Sequence, residues 1–264
     1  MKKTIGFIGT GNMASAIIDG MVSSKAFAPM EICVYDKDLE KADQTGKKYG
    51  VTVCENNEQL LRQCRAVVLA VKPIALPELL TSLSETFVNE KNLVISIAAG
   101  QSIEKLRGLI GTDLPIIRVM PNINAIAGES ISGYAVNELV SNEDRELLEK
   151  VLDSTGKSVE IREEQFSVYS AIAGCSPAYV YNFIDTIARV GVKHGIYKKD
   201  ALELATKCVL ESAKKLSNGD IEDNIKTILA DKKSKEASDK LDENNFEKII
   251  ADCLSSALNK DKKM

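Results

Sequence analysis

The chain has 264 residues, 44% hydrophobic and 27% charged, with a formal net charge of −4. That balance suits a globular chain with one large or two modest cores and argues against disorder. It gives no electrostatic basis for binding nucleic acid or an anionic membrane surface, and no apolar run approaches the roughly 18 residues of a membrane span.

The amino terminus, Met1-Lys2-Lys3 followed by IGFIGTGNMASA (5–16), fits two templates. A secretory signal needs an unbroken apolar centre of ~7 to 15 residues, and Gly9-Thr10-Gly11-Asn12 interrupts this one after a few. The stretch reads instead as a strand, TIGFI (4–8), a tight turn and the start of a helix. Further strands follow at EICVYD (31–36), AVVLAV (66–71), LVISI (93–97) and PIIRVM (115–120), with helical periodicity between most of them. Such alternation predicts a parallel sheet with helices on both faces. A shorter pair, ISGYAV (131–136) and SVEI (158–161), brackets a helix signalled by Ser141-Asn142 and extends the sheet edge.

The character changes near residue 162. All six prolines lie at or before Pro177, and only three glycines follow it. FSVYSAIAG (166–174), PAYVYNFIDTIARVGVKHG (177–195), KDALELATKCVLESAKKL (199–216) and FEKIIADCLSSAL (246–258) each carry an apolar stripe at helical spacing. The expected organisation is a dinucleotide-binding domain over 1–162 and an all-helical domain over 163–264, ending in a lysine-rich tail after Leu258.

Gly9-Thr10-Gly11-Asn12-Met13-Ala14 is a GxGxxA pattern between a strand and a helix. In that position Gly9 makes the tight turn, Gly11 lets a pyrophosphate approach the backbone, and Ala14 keeps helix and strand close. Asp36 ends the second strand where a carboxylate accepts ribose hydroxyls, which favours NADH; Lys37 and Lys41 nearby suit a phosphate instead, so both cofactors stay open. The six cysteines are scattered without a CxxC pair, which points to reduced thiols and the cytoplasm rather than disulfides or zinc. The single histidine, His194, sits among lysines and reads as a solvated helix residue. No metal site is expected.

Several strings resemble one family, the pyrroline-5-carboxylate reductases: GFIGTGNMASAI (6–17), LAVKP (69–73), SIAAG (96–100), RVMPN with Ala-Gly-Glu (118–129) and AGCSPAYVYNFIDTIARVGVKHGI (173–196). The resemblance runs from residue 4 to about 216. It implies a Rossmann doubly wound sheet followed by an all-α dimerisation domain, a homo-oligomer that is at least a dimer, and NADPH- or NADH-dependent reduction of a cyclic imino acid in proline biosynthesis. Carried over by position, Ile8, Gly9, Thr10, Gly11, Asn12 and Met13 would hold the pyrophosphate. Asn57 would touch the adenosine side, Ala70, Lys72 and Pro73 would lie along the cofactor, and Ala98 and Ala99 beside the nicotinamide. Without the resemblance, Lys72-Pro73 reads as a strand end, Asn57 as a helix cap and Ala98-Ala99-Gly100 as a small-residue turn.

One family string is missing, the Ser-Pro-Gly-Gly-Thr-Thr-like loop whose glycines bring backbone N–H groups onto the substrate carboxylate. Counting back from Leu241 and Phe246 places it on Leu229-Ala230-Asp231-Lys232-Lys233-Ser234, with Ser234 as the hydroxyl that meets the imine nitrogen. Matching Asp223-Asn224-Ile225 to the preceding family string shifts the register by two and loses that hydroxyl. The altered loop leaves two other readings: a dinucleotide-binding paralogue with a regulatory or assembly role, or a reductase of another small imino or keto acid.

Overall fold

Continuous β-branched runs suit strands buried on both faces of a parallel sheet, and in the computed structural model, which describes residues 3–217 and 221–261, they form one. The strands are β1 (Lys3–Ile8), β2 (Ile32–Tyr35), β3 (Thr52–Val53), β4 (Cys64–Leu69), β5 (Leu93–Ser96), β6 (Ile116–Met120), β7 (Ser130–Val136) and β8 (Gly156–Glu160). Between them lie α1 (Asn12–Ser23), α2 (Leu39–Tyr49), α3 (Asn57–Gln63), α4 (Leu76–Glu90), α5 (Ile103–Ile110) and α6 (Asn142–Asp153). The sheet order is β3-β2-β1-β4-β5-β6-β7-β8. Ile8 lies level with Tyr35 on one side and Leu69 on the other, and Leu69 with Ser96, so four strands end together. The chain direction of the strand order reverses between β1 and β4, which in such sheets opens a crevice at the strands' carboxyl ends.

Each face of the sheet carries its own core. Ile5, Phe7, Ile17, Ile18, Met21, Val151 and Leu152 pack on one side. Ile8, Val67, Leu69, Leu80, Leu83, Phe87, Leu106 and Ile110 pack on the other. The sequence expectation of a parallel sheet needs one amendment, since β7 runs antiparallel to β6. Only nine residues separate them, too few for the crossover that parallel neighbours require. β8 then pairs parallel to β7 through the crossover helix α6, capped by Ser141 as its sequence signals.

The chain divides into two compact units, one up to Gly174 together with the end of the chain from Leu258, the other Cys175–Ala257. The first closes with α7 (Phe166–Tyr169) and a π-helical turn, Ser170–Gly174. The second contains α8 (Cys175–Lys193), α9 (Lys198–Ser217), α10 (Ile221–Leu229) and α11 (Lys232–Glu243), and α12 (Phe246–Asp261) begins within it. Residues 262–264 of the expected lysine-rich tail lie outside the described residues. Among its described residues the second unit buries little apolar surface of its own: Ala188, Ala201 and Ala205, with Ile184 against them, form a buried cluster. Val180, Tyr181, Phe183, Ile187, Val190 and Val192, all on α8, are exposed. His194 is exposed just past the end of α8.

Candidate cofactor site

The turn after β1 is built for a close approach. Gly9 has φ +99°, a conformation side chains rarely adopt, and a Cβ there would lie 2.6 Å from the Ala70 carbonyl oxygen. Its N–H donates to the Tyr35 carbonyl at 2.8 Å, and Ala70 N–H donates to the Ile8 carbonyl at 2.9 Å, so the turn is clamped between the ends of β2 and β4. Gly11 is the N-cap of α1 in extended backbone, with no side-chain cap and no acidic residue in the first turn. The N–H groups that open a helix have no intrahelical acceptors and concentrate positive potential. A Cβ on Gly11 would meet nothing within 4 Å. The space in front of this helix end is open.

A groove of about 240 Å³ begins there, lined by Gly11, Asn12, Met13, Ala14, Ala70, Val71, Lys72, Pro73, Ile97, Ala98 and Ala99. Its far wall is held by Ile97 N–H donating to the Leu69 carbonyl at 3.2 Å and Ala98 N–H donating to Ser96 Oγ at 3.3 Å. Lys72 is the one ionisable side chain in this lining. A second cavity of about 520 Å³ shares Lys72 and Pro73 and continues to Ile74, Pro77, Gln101 and Lys105.

The remaining expected residues take different places. Ile8, Gly9 and Thr10 form the turn itself. Asp36 is half-buried, and its Oδ2 accepts from Thr10 N–H at 2.8 Å and Thr10 Oγ1 at 3.0 Å, while Oδ1 accepts from Asp38 N–H at 3.0 Å. The carboxylate therefore braces the glycine turn. Asn57 is not the helix cap: Asn56 is, accepting from Gln59 N–H at 2.8 Å, and Asn57 is the first residue of α3. Asn57 Oδ1 is buried without a partner among the described residues. An orphaned acceptor of this kind costs free energy unless something supplies a donor.

The altered loop joins α10 to the first turn of α11. Asp231 is the N-cap of α11, and its Oδ2 accepts from Ser234 N–H at 2.8 Å and from Ser234 Oγ at 3.0 Å. The Ser234 N–H first, and the hydroxyl second, hold the Asp231 carboxyl below its ordinary value. A carboxylate of the chain itself thus sits at this helix end.

A dinucleotide fits the residues of the first unit. The uncapped end of α1, the open side of Gly11 and the unpartnered Asn57 Oδ1 are the features it would satisfy. Val71 and Ile97 also line the groove without having been singled out in the sequence; their places within LAVKP and SIAAG were the available signal.

Comparison with known proteins gives the site its context. Residues 4–100 match the family model described as NADP oxidoreductase coenzyme F420-dependent, and residues 163–264 match the model described as pyrroline-5-carboxylate reductase dimerisation. A curated pyrroline-5-carboxylate reductase from Aquifex aeolicus is 32% identical over 98% of this chain and 97% of its own length. The chain belongs to the pyrroline-5-carboxylate reductase family. Among solved structures, a pyrroline-5-carboxylate reductase from Coxiella burnetii superposes with a TM-score of 0.92 at 26% identity, covering 100% of this chain and 98% of that one. A pyrroline carboxylate reductase from Plasmodium falciparum, solved with NADP bound, gives 0.87 at 26% identity over 100% and 99%. In this pyrroline-5-carboxylate reductase family member, the dimerisation match falls on the half whose helices leave α8's apolar residues uncovered, the property expected of a helix that packs against a second copy.

Proposed function

We propose that this chain reduces 1-pyrroline-5-carboxylate to L-proline with NADPH or NADH, working as a homo-oligomer in the cytoplasm. The observation that carries the reading is likeness over the whole length to a curated reductase of that name, joined to a glycine turn and helix end open to a diphosphate. Six free cysteines support a reducing compartment.

The cofactor, when bound, supplies a hydride to the imine carbon. The chain's residues bind and orient. Ile8 to Met13 would receive the pyrophosphate at the start of α1, Asn57 would accept a hydrogen bond on the adenosine side, and Ala70, Lys72 and Pro73 would run along the cofactor. Ala98 and Ala99 give a small-residue wall that lets a planar ring lie close. Asp36 keeps the glycine turn in shape through Thr10, and can still present lone pairs to a ribose. Ser234 is the candidate partner of the imine nitrogen. With its hydroxyl proton directed to Asp231, it offers an oxygen lone pair, which suits the N–H of a protonated imine, the more electrophilic form.

Purified protein with 1-pyrroline-5-carboxylate and NADPH or NADH tests the proposal: reduced-nicotinamide absorbance falls and proline accumulates in equal amount. The carboxylate of Asp231 at the start of α11 favours one second reading, a paralogue that binds dinucleotide without reducing this imine. Tight binding of the nucleotide without turnover would favour it, and turnover of a different imino or keto acid would move the substrate instead.

A further inference from the structure

The groove's far wall is a six-residue segment, Ile97–Ser102, between β5 and α5, and its two ends are fastened differently. The near end is tied to the sheet through Ile97 and Ala98. At the far end, Ile103 N–H donates at 3.2 Å to Glu163 Oε1, and the same oxygen accepts from Arg118 Nη1 at 2.9 Å. Arg118 is 6% exposed and its guanidinium lies 3.6 Å from the centre of the Phe166 ring. Arg118 Nε and Glu163 Oε2 are each buried without a partner among the described residues, as is Oε1 of Gln101 within the segment itself.

A buried ion pair is poor evidence of a stability device, because removing two charges from water offsets most of their attraction, and well-packed apolar residues often do as well. This one leaves polar atoms unsatisfied on both partners. It does one thing an apolar pair could not: it presents a carboxylate oxygen, fixed by a stacked guanidinium, to the first N–H of α5. That contact sets where the segment bearing Ala98 and Ala99 ends.

We infer that Arg118 and Glu163 are a positioning pair, which holds the Ala98–Ala99 wall at the place where the reduced ring must lie for transfer. The inference rests on the proposed reductase reading for its kinetic consequence and on nucleotide binding for its spectroscopic one. The diphosphate cradle at the end of β1 is a separate structure, so nucleotide affinity stays while ring placement is lost. Misplacement of a reacting group by about 1 Å can cost on the order of 100-fold in rate.

The test compares the fluorescence of bound NADPH, its Kd and kcat in three variants. Glu163→Ala releases Ile103 and is expected to keep Kd within about three-fold, to lower kcat by at least about ten-fold and to return the emission of bound NADPH toward that of free NADPH. Glu163→Gln keeps an acceptor oxygen and is expected to recover emission and most of kcat. Arg65→Ala breaks a different ion pair of the same unit, with Asp144 at 2.9 Å, and is expected to leave kcat and emission as in the parent protein. Should Glu163→Ala not fold, Glu163→Asp, which draws the oxygen back by one methylene, takes its place with the same expectation. Parent-like kcat and emission in Glu163→Ala or Glu163→Asp would overturn the inference. So would a Glu163→Gln variant as impaired as Glu163→Ala, or equal loss in Arg65→Ala. If the parent protein turns over no imine, the reductase reading fails while the emission comparison still decides the positioning role.

Discussion

Replacing Gly11 by alanine separates folding from nucleotide binding. Gly11 has φ −68° and ψ −179°, ordinary extended backbone, and a Cβ there meets nothing within 4 Å. Two small effects on stability oppose each other: alanine is a poorer N-cap than glycine, while it restricts the unfolded chain more. Their sum stays within ~1 kcal/mol, or a melting shift of about 2–4 °C for a chain of this size. In the bound state the methyl would stand where a diphosphate oxygen approaches the first N–H groups of α1. Loss of one charge-assisted hydrogen bond at ~1.5–3 kcal/mol raises the Kd for NADPH by about 10- to 150-fold. Calorimetric melting and a fluorescence titration on the same preparations read the two quantities. Unchanged NADPH affinity in a normally folded Gly11→Ala protein would refute the placement of the diphosphate. A collapse in melting temperature would refute the claim that this position is free of the fold.

Gly9→Ala is expected to behave oppositely, because φ +99° and a backbone oxygen 2.6 Å from the new Cβ destabilise the fold by at least about 2 kcal/mol; melting of the apoprotein checks it. Ser234→Ala should lower kcat by about 10- to 150-fold, one hydrogen bond to a charged group, with NADPH affinity unchanged in titration; an undiminished rate would assign the nitrogen's partner elsewhere. Glu31 is held below the ordinary glutamate value first by the Ala28 N–H and then by the Thr4 hydroxyl. A depressed folded pKa means its contribution is complete above about pH 4.5 and lost as the pH falls to the folded value, so Glu31→Gln should show a shallower fall in melting temperature across the acid range.

The sheet was legible because buried parallel strands read as unbroken β-branched runs, and TIGFI, ICVY and LVIS stand out between polar segments. Thr52–Val53 was not, since two residues carry no period. Nor was the reversal at β7, which follows from the length of the link after Met120 rather than from any residue in the strand. The glycine turn could be read because each glycine has its own physical reason. What Asp36 does could not: its bonds to Thr10 arise only when β1 and β2 lie side by side, joining residues 26 apart. Two adjacent asparagines hid which of them capped α3. KKSKEASDK carries no apolar stripe and reads at most as a solvated helix face; its start at Asp231, an N-cap residue type three before Ser234, comes from the structure. Arg118 and Glu163 are 45 apart in sequence, and nothing local in either couples them to the segment they hold.

In the proposed reaction a reduced dinucleotide seated at the end of β1 delivers hydride to an imine carbon. Turnover with NADPH carrying deuterium on the transferring face of its nicotinamide tests that most directly. The expected product is proline with one deuterium on the ring carbon that was doubly bonded to nitrogen, formed in equal amount with oxidised cofactor. Bound NADPH that stays reduced, with no labelled proline in the presence of 1-pyrroline-5-carboxylate, would contradict it.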